Sequence, residues 1–263
     1  MSGRMLSYQH IYHAGNPADV HKHALLAACL DYMVQKEKPL SYLETHSGRG
    51  LYDLGSAEAL KTGEYSQGID RLRESLAPAS PYLRALRQIE AQHGPKAYPG
   101  SPLIAQALLR DCDTAHFAEL HPKEFSELCA ALRGTGAHCH KRDGFEMAQA
   151  LCPPTPRRGM MLIDPSYELK DDFARLPKII AQLHRKWNVG VIALWYPILT
   201  THAQTTMVKA LCRAHPQALS HEVRFAPVRS NHRMIGSGLF VLNPPFGLTE
   251  AAAPVTALFR AVE

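Results

Sequence analysis

The stretch GMMLIDPSY, residues 159–167, is a short apolar run of strand character that stops abruptly at Asp164 and Pro165. A run of this length with no polar break reads as a strand covered on both faces. Five further runs share its design: PLSYLETHSGRG (39–50), TAHFAELHP (114–122), AHCHKRDG (137–144), VGVIALWYP (189–197) and SGLFVLNPP (237–245). Between most of them lie segments with apolar residues at three- and four-residue spacing: SPLIAQALLRD (101–111), PKEFSELCAALRG (122–134), FARLPKIIAQLHRK (173–186) and HAQTTMVKALCRAH (202–215). Strands alternating with helices predict an α/β fold with a mostly parallel, doubly wound sheet. Ligands of such sheets bind beyond the carboxyl ends of the strands, which is where His46, Glu119, Asp143 and Asp164 fall.

The rhythm breaks once. About sixty residues separate the first two strands, far more than a crossover needs, and a small helical insertion is predicted at about 53–97, projecting as a lobe beside the crevice. The 263 residues otherwise suit a single domain. A net charge of +5 and a pI near 8.9 favour polyanionic partners without specifying one. Six cysteines with no C-x-x-C pair read as reduced thiols, and no window approaches a membrane span, so a cytoplasmic protein is expected.

Several motifs carry chemistry. Gly48-x-Gly50 follows the first strand, where missing side chains let backbone N–H groups approach a ligand. Glu119 ends the second strand and suits the two hydroxyls of a ribose; Asp143 and Gly144 end the third and suit an adenine edge. At Asp164-Pro165 a carboxylate and a backbone carbonyl together offer two acceptors for an amino group, with Tyr167 placed to stack on its ring. Asn243-Pro244-Pro245-Phe246 spells the [DN]-P-P-[FYW] amino-methylation pattern more fully, but it comes two strands after the fourth, where the catalytic turn belongs.

The N-terminal cluster of His10, His13, His21 and His23 invites a metal reading, that of a His-rich metal-dependent nuclease, although H-E-x-x-H is absent. Pocket-lining histidines are the simpler account, and no metal is expected. Neither a G-x-S-x-G elbow nor a G-x-x-x-x-G-K-[ST] loop is present.

Taken together, MLSYQHIYHAGNPADVHKH (5–23), YLETHSGRG (42–50), TGEY (62–65), YPGSPLIA (98–105), ELHP (119–122), DGF (143–145), LIDPSYE (162–168), ALWYP (193–197) and NPP (243–245) resemble the RlmJ family of 23S ribosomal RNA adenine-N6 methyltransferases. The resemblance covers roughly residues 5–247. It implies a Rossmann-like class I methyltransferase dependent on S-adenosylmethionine, with cofactor contacts at His23, His46, Ser101, Glu119, Asp143, Gly144 and Asp164. The catalytic turn would comprise Asp164, Pro165 and Tyr167. Tyr8 and Lys22 would belong to a substrate-side N-terminal tail, residues 1–23, with 23S ribosomal RNA as partner of a monomer. A DNA adenine methyltransferase is the alternative within the same fold. The chain departs from the family at Ser166, where a second proline is expected, and in having Ser47 and Arg49 as the variable residues of its first glycine-rich turn.

Overall fold

The structure is a computed structural model describing residues 9–168, 171–228 and 233–260. Tyr8 therefore lies outside the described residues. A 3-10 turn at His10–Tyr12 leads into α1 (Pro17–Val34), β1 (Ser41–Glu44), β2 (Leu51–Asp53), α2 (Ala57–Thr62), α3 (Ile69–Leu72), α4 (Pro81–His93), β3 (Ala97–Pro99), α5 (Ser101–Leu108) and β4 (Thr114–Ala118). Then follow α6 (Pro122–Ala131), β5 (His138–His140), α7 (Gly144–Leu151), β6 (Gly159–Ile163), α8 (Asp172–Lys186), β7 (Val191–Leu199), α9 (Thr205–Ala214), β8 (Leu219–Arg224), β9 (Met234–Leu242) and α10 (Leu248–Arg260).

Seven strands form one sheet in the order β5-β4-β1-β6-β7-β9-β8. Strands β5, β4, β1, β6 and β7 run parallel, and β9 runs antiparallel between β7 and β8. The period of two along a strand divides the core: Met160 and Leu162 of β6 face one layer, with Leu25, Leu26 and Leu30 of α1, while Met161 and Ile163 face the other, with Leu176, Ile180 and Leu183 of α8. Helices thus cover both faces of the sheet, as the unbroken apolar run predicts, in a Rossmann-like α/β arrangement.

Residues 17–23, expected within an N-terminal tail, are instead the first turns of α1, and nearly all of that helix is buried. Asn16 caps it by accepting from the Asp19 N–H, a bond that contributes about 1 kcal/mol, and Pro17 fills the first turn, where no N–H is needed. The helix has no polar face because it packs against the sheet on one side and against α4, α5 and α10 around the rest. The stretch 53–97 holds α2, α3, α4 and two 3-10 turns, and β2 pairs antiparallel with β3 so that its two ends meet. Leu72, Tyr82, Leu83, Leu86 and Ile89 from this stretch share a core with α1, so it packs on the domain and does not project from it.

Candidate active site

A cavity of about 800 Å³ opens at the carboxyl ends of the parallel strands. It is lined by the described candidate catalytic, cofactor and substrate residues, Lys22, His23, His46, Ser101, Glu119, Asp143, Gly144, Asp164, Pro165 and Tyr167, while Gly50, His21 and Asn243 lie outside its lining.

The end of β1 builds one half. Gly48 takes φ +60°, and a Cβ there would lie 2.5 Å from the Tyr52 hydroxyl, so the turn requires glycine. Its N–H donates to Glu119 Oε2 at 2.8 Å, and the His121 N–H donates to Oε1 at 2.7 Å, which fixes the carboxylate at the end of β4. Burial pushes the Glu119 carboxyl up, and these backbone donors oppose that shift. Asp143 caps α7 by accepting from Phe145 and Glu146, while Gly144 packs so closely that a Cβ would sit 1.8 Å from the Thr45 carbonyl oxygen. Asp143 Oδ1 is thus engaged in capping as well as lining the cavity. Ser47 Oγ is buried with no hydrogen-bond partner among the described residues. An orphaned hydroxyl on a cavity wall is what a polar ligand would satisfy.

At the end of β6 the acceptor turn lies against α1. Lys22 Nζ is 2.6 Å from Asp164 Oδ2 and 3.1 Å from Asp19 Oδ1, and its side chain is only 6% exposed. Burial disfavours the ammonium, yet Asp164 and Asp19 together hold Lys22 above its ordinary range. Burial likewise opposes the charge on Asp19, but His10, Lys22 and His23 hold its carboxyl well below the usual range. Tyr167 takes φ +55°, a left-handed conformation costing roughly 1–2 kcal/mol for a residue with a Cβ. Its hydroxyl donates to the Trp195 carbonyl at 2.6 Å and its ring stacks on Phe173 with centroids 4.7 Å apart, which offsets that cost.

The histidines separate by partner. His10 bonds Asp19, His13 bonds Glu64, His21 bonds Ser237 and His221, and His23 bonds the Tyr98 hydroxyl. Among the described residues no three His, Cys, Asp or Glu side chains converge as a metal requires. Burial lowers His23 to about 3 and His46 to about 4, so both cavity imidazoles are neutral near pH 7.

Below Ser101 sits Glu44, a carboxyl that sequence reasoning did not single out. Ser101 Oγ donates to it at 2.5 Å and the Tyr42 hydroxyl at 2.8 Å, and burial pushes it up to about 8. A raised carboxyl keeps its proton in the folded state through a range where the unfolded chain has lost it. Folding then costs more as pH rises from about 4 to about 8. Relative to the wild type, Glu44→Gln is expected to gain stability across that window, by up to a few kcal/mol, and to match it below the window. Urea unfolding across the pH range measures this, and a difference that does not change with pH would refute it.

The matching family model is described as ribosomal RNA large subunit methyltransferase D, RlmJ, and spans residues 37–261. The chain belongs to that family. A ribosomal RNA large subunit methyltransferase J of Escherichia coli K12 is 38% identical over 251 residues, covering 94% of this chain and 90% of the relative. The protein of the same name in Haemophilus influenzae is 40% identical over 250 residues, covering 93% and 89%. A crystal structure of a Legionella pneumophila protein, 34% identical, superposes with a TM-score of 0.84 over 94% of both chains. The described catalytic and cofactor residues implied by the resemblance meet in one cavity, joined there by Asp19, Tyr52 and Arg175, which sequence reasoning missed, and by Ser47 and Trp195, to which it gave no role. Asn16-Pro17, a cap followed by a first-turn proline, was the available signal for the helix that holds Asp19.

Proposed function

We propose that this chain transfers a methyl group to the exocyclic N6 amine of an adenine in 23S ribosomal RNA. The observation that supports this reading most is the Asp164-Pro165 acceptor pair in the same cavity as the pinned Glu119 carboxylate and the Asp143-Gly144 turn. The residues fit S-adenosylmethionine. Glu119 suits the ribose hydroxyls, Asp143 and the Gly144 N–H suit the adenine edge, and Ser47 Oγ, Ser101 and the neutral His23 and His46 suit the polar amino-acid end. When bound, this cofactor supplies a methyl group already activated by its sulfonium.

The chain's own residues align the amine. Its lone pair is conjugated with the ring and poorly nucleophilic until both N–H bonds are held. Asp164 accepts one and the Pro165 carbonyl the other, which turns the lone pair toward the donor and leaves Asp164 as the acceptor for the proton the amine loses. Lys22 keeps Asp164 in place until the base arrives. The base must leave its stack to reach this depth, and a loop adenine does so at least cost. A ribosomal RNA substrate is in keeping with a reaction in the cytoplasm, and we read the chain as a monomer.

Labelled methyl transfer to deproteinised 23S ribosomal RNA and to duplex DNA tests the reading. N6-methyladenosine is expected in the RNA, and transfer only to DNA would overturn it. Glu119→Gln is expected to weaken binding of S-adenosylhomocysteine about tenfold or more in calorimetry, the size of one hydrogen bond to a charged group. Unchanged affinity would remove Glu119 from the cofactor site.

A further inference from the structure

A buried polar chain that the transfer step does not use runs from α10 to the cavity wall. Trp195 Nε1 bonds Ser237 Oγ at 2.9 Å, and Ser237 Oγ lies 2.8 Å from His21 Nδ1. His21 Nε2 is 2.9 Å from His221 Nδ1, and His221 Nε2 is 2.8 Å from Thr256 Oγ1. Ser237 and His21 are completely buried. An indole can only donate, so Ser237 accepts from it and keeps its own hydrogen for His21 Nδ1. His21 then donates from Nε2 to His221, and His221 donates from Nε2 to Thr256. Thr256 in turn donates to the Ala252 carbonyl at 3.4 Å. In this direction every group is satisfied with both imidazoles neutral, and burial holds both below their ordinary range.

Apolar side chains would fill the same space without the cost of desolvating four polar ones. What the satisfied chain provides is a single orientation for the indole at its end. That indole lines the cavity, with Lys22 Nζ 5.6 Å from its ring centroid. The same Nζ is 2.6 Å from Asp164 Oδ2, so the ammonium occupies the space between the acceptor carboxylate and the indole. A base whose amine takes the place of Lys22 at Asp164 comes to rest against Trp195. Tyr167 stacks on Phe173 through one face of its ring and meets the indole in a T-shaped contact with centroids 5.9 Å apart, so both aromatic rings border the same part of the cavity.

We propose that Trp195 is the wall on which the target adenine stacks, and that Ser237, His21 and His221 are positioning residues that fix the plane of its indole. The proposal rests on the methyl-transfer reading above, and its test separates the two. On deproteinised 23S ribosomal RNA, Trp195→Ala is expected to lower kcat/KM about tenfold or more, the effect of losing one base–aromatic stack, while the Kd for S-adenosylhomocysteine stays within about twofold. Trp195→Phe retains a stacking face and is expected to recover most of the loss; Ser237→Ala frees the indole and falls between.

Adenosine added to the S-adenosylhomocysteine complex should quench tryptophan emission in the wild type and not in Trp195→Phe, where buried Trp187 remains as the reference. Equal quenching in both proteins, or a Trp195→Ala enzyme within about twofold of wild type, would overturn the proposal. Should the wild type transfer no methyl group to RNA, the methyl-transfer reading fails. The quenching comparison alone then decides whether an adenine base stacks on Trp195.

Discussion

Alanine at position 164 is expected to abolish most turnover on 23S ribosomal RNA, by about a thousandfold or more, while alanine at 243 leaves it within about threefold. A positioned proton acceptor contributes typically 10²–10⁴-fold, and Asp164 also directs the amine through one of only two acceptors at the turn. Cofactor binding should survive because Glu119, Gly144 and Ser47 are held by other elements. Asn243 sits at the other end of the sheet. Strand β9 is antiparallel to β7, pairing Leu242 with Ile192, so its last residue emerges beside the start of β7. There Asn243 Nδ2 donates to the carbonyls of Asn188 and Gly190 at 2.9 and 2.8 Å, in a left-handed conformation with φ +53°. Losing those bonds and imposing alanine on that conformation costs stability, on the order of 1–3 kcal/mol, and no chemistry. Turnover measured beside thermal unfolding separates the two roles, and an Asn243→Ala enzyme as inactive as Asp164→Ala would move the catalytic turn.

This contrast also marks what the sequence could reveal. Chain order favoured Asp164 over Asn243 without showing that β9 reverses direction, which is the physical reason the second proline motif faces away from the cavity. Strands β6 and β7 were legible because both faces are covered and their residues run apolar almost without a break. Helix α1 was not, because burial nearly all round removes the polar stripe by which a surface helix is recognised. Strand β8 alternates exposed and half-buried residues at the sheet edge, and β2 and β3 are three residues each, too short for a period to register. Glu44 and Trp195 gain their meaning from partners distant in the chain, Ser101 across 57 residues and Ser237 across 42, just as Lys22 and Asp164 meet across 142 and His21 and Ser237 across 216. No local spacing encodes such pairs.

The Lys22–Asp164 contact leads to the second large effect. Methionine at 22 keeps the length and apolar stem of lysine but removes the only ammonium among the bonds made to Asp164 and Asp19 in the described structure. Breaking a buried ion pair from one side costs about 3–5 kcal/mol, because the remaining charge has lost its water and gained nothing in exchange. For a chain of this size that corresponds to a fall in Tm of roughly 6–15 °C. Turnover is expected to fall about a hundredfold as Asp164 loses the contact that holds it in position for the base.

The pH dependence identifies the cause. Asp19 is held below its ordinary range in the folded state, so its contribution to stability is present above the unfolded value near pH 4 and is lost as pH falls through the lower folded value. Removing Lys22 takes away part of what sustains that shift. The gap in Tm between wild type and Lys22→Met should therefore be full near pH 7 and narrow as the solution is made acidic. Adding Asp19→Asn to Lys22→Met relieves one stranded carboxylate and should restore part of the Tm, but not turnover, because Asp164 is still left without the ammonium. A Lys22→Met protein whose Tm equals that of the wild type at pH 7 would show that the ion pair is not a structural tie between α1 and the catalytic turn.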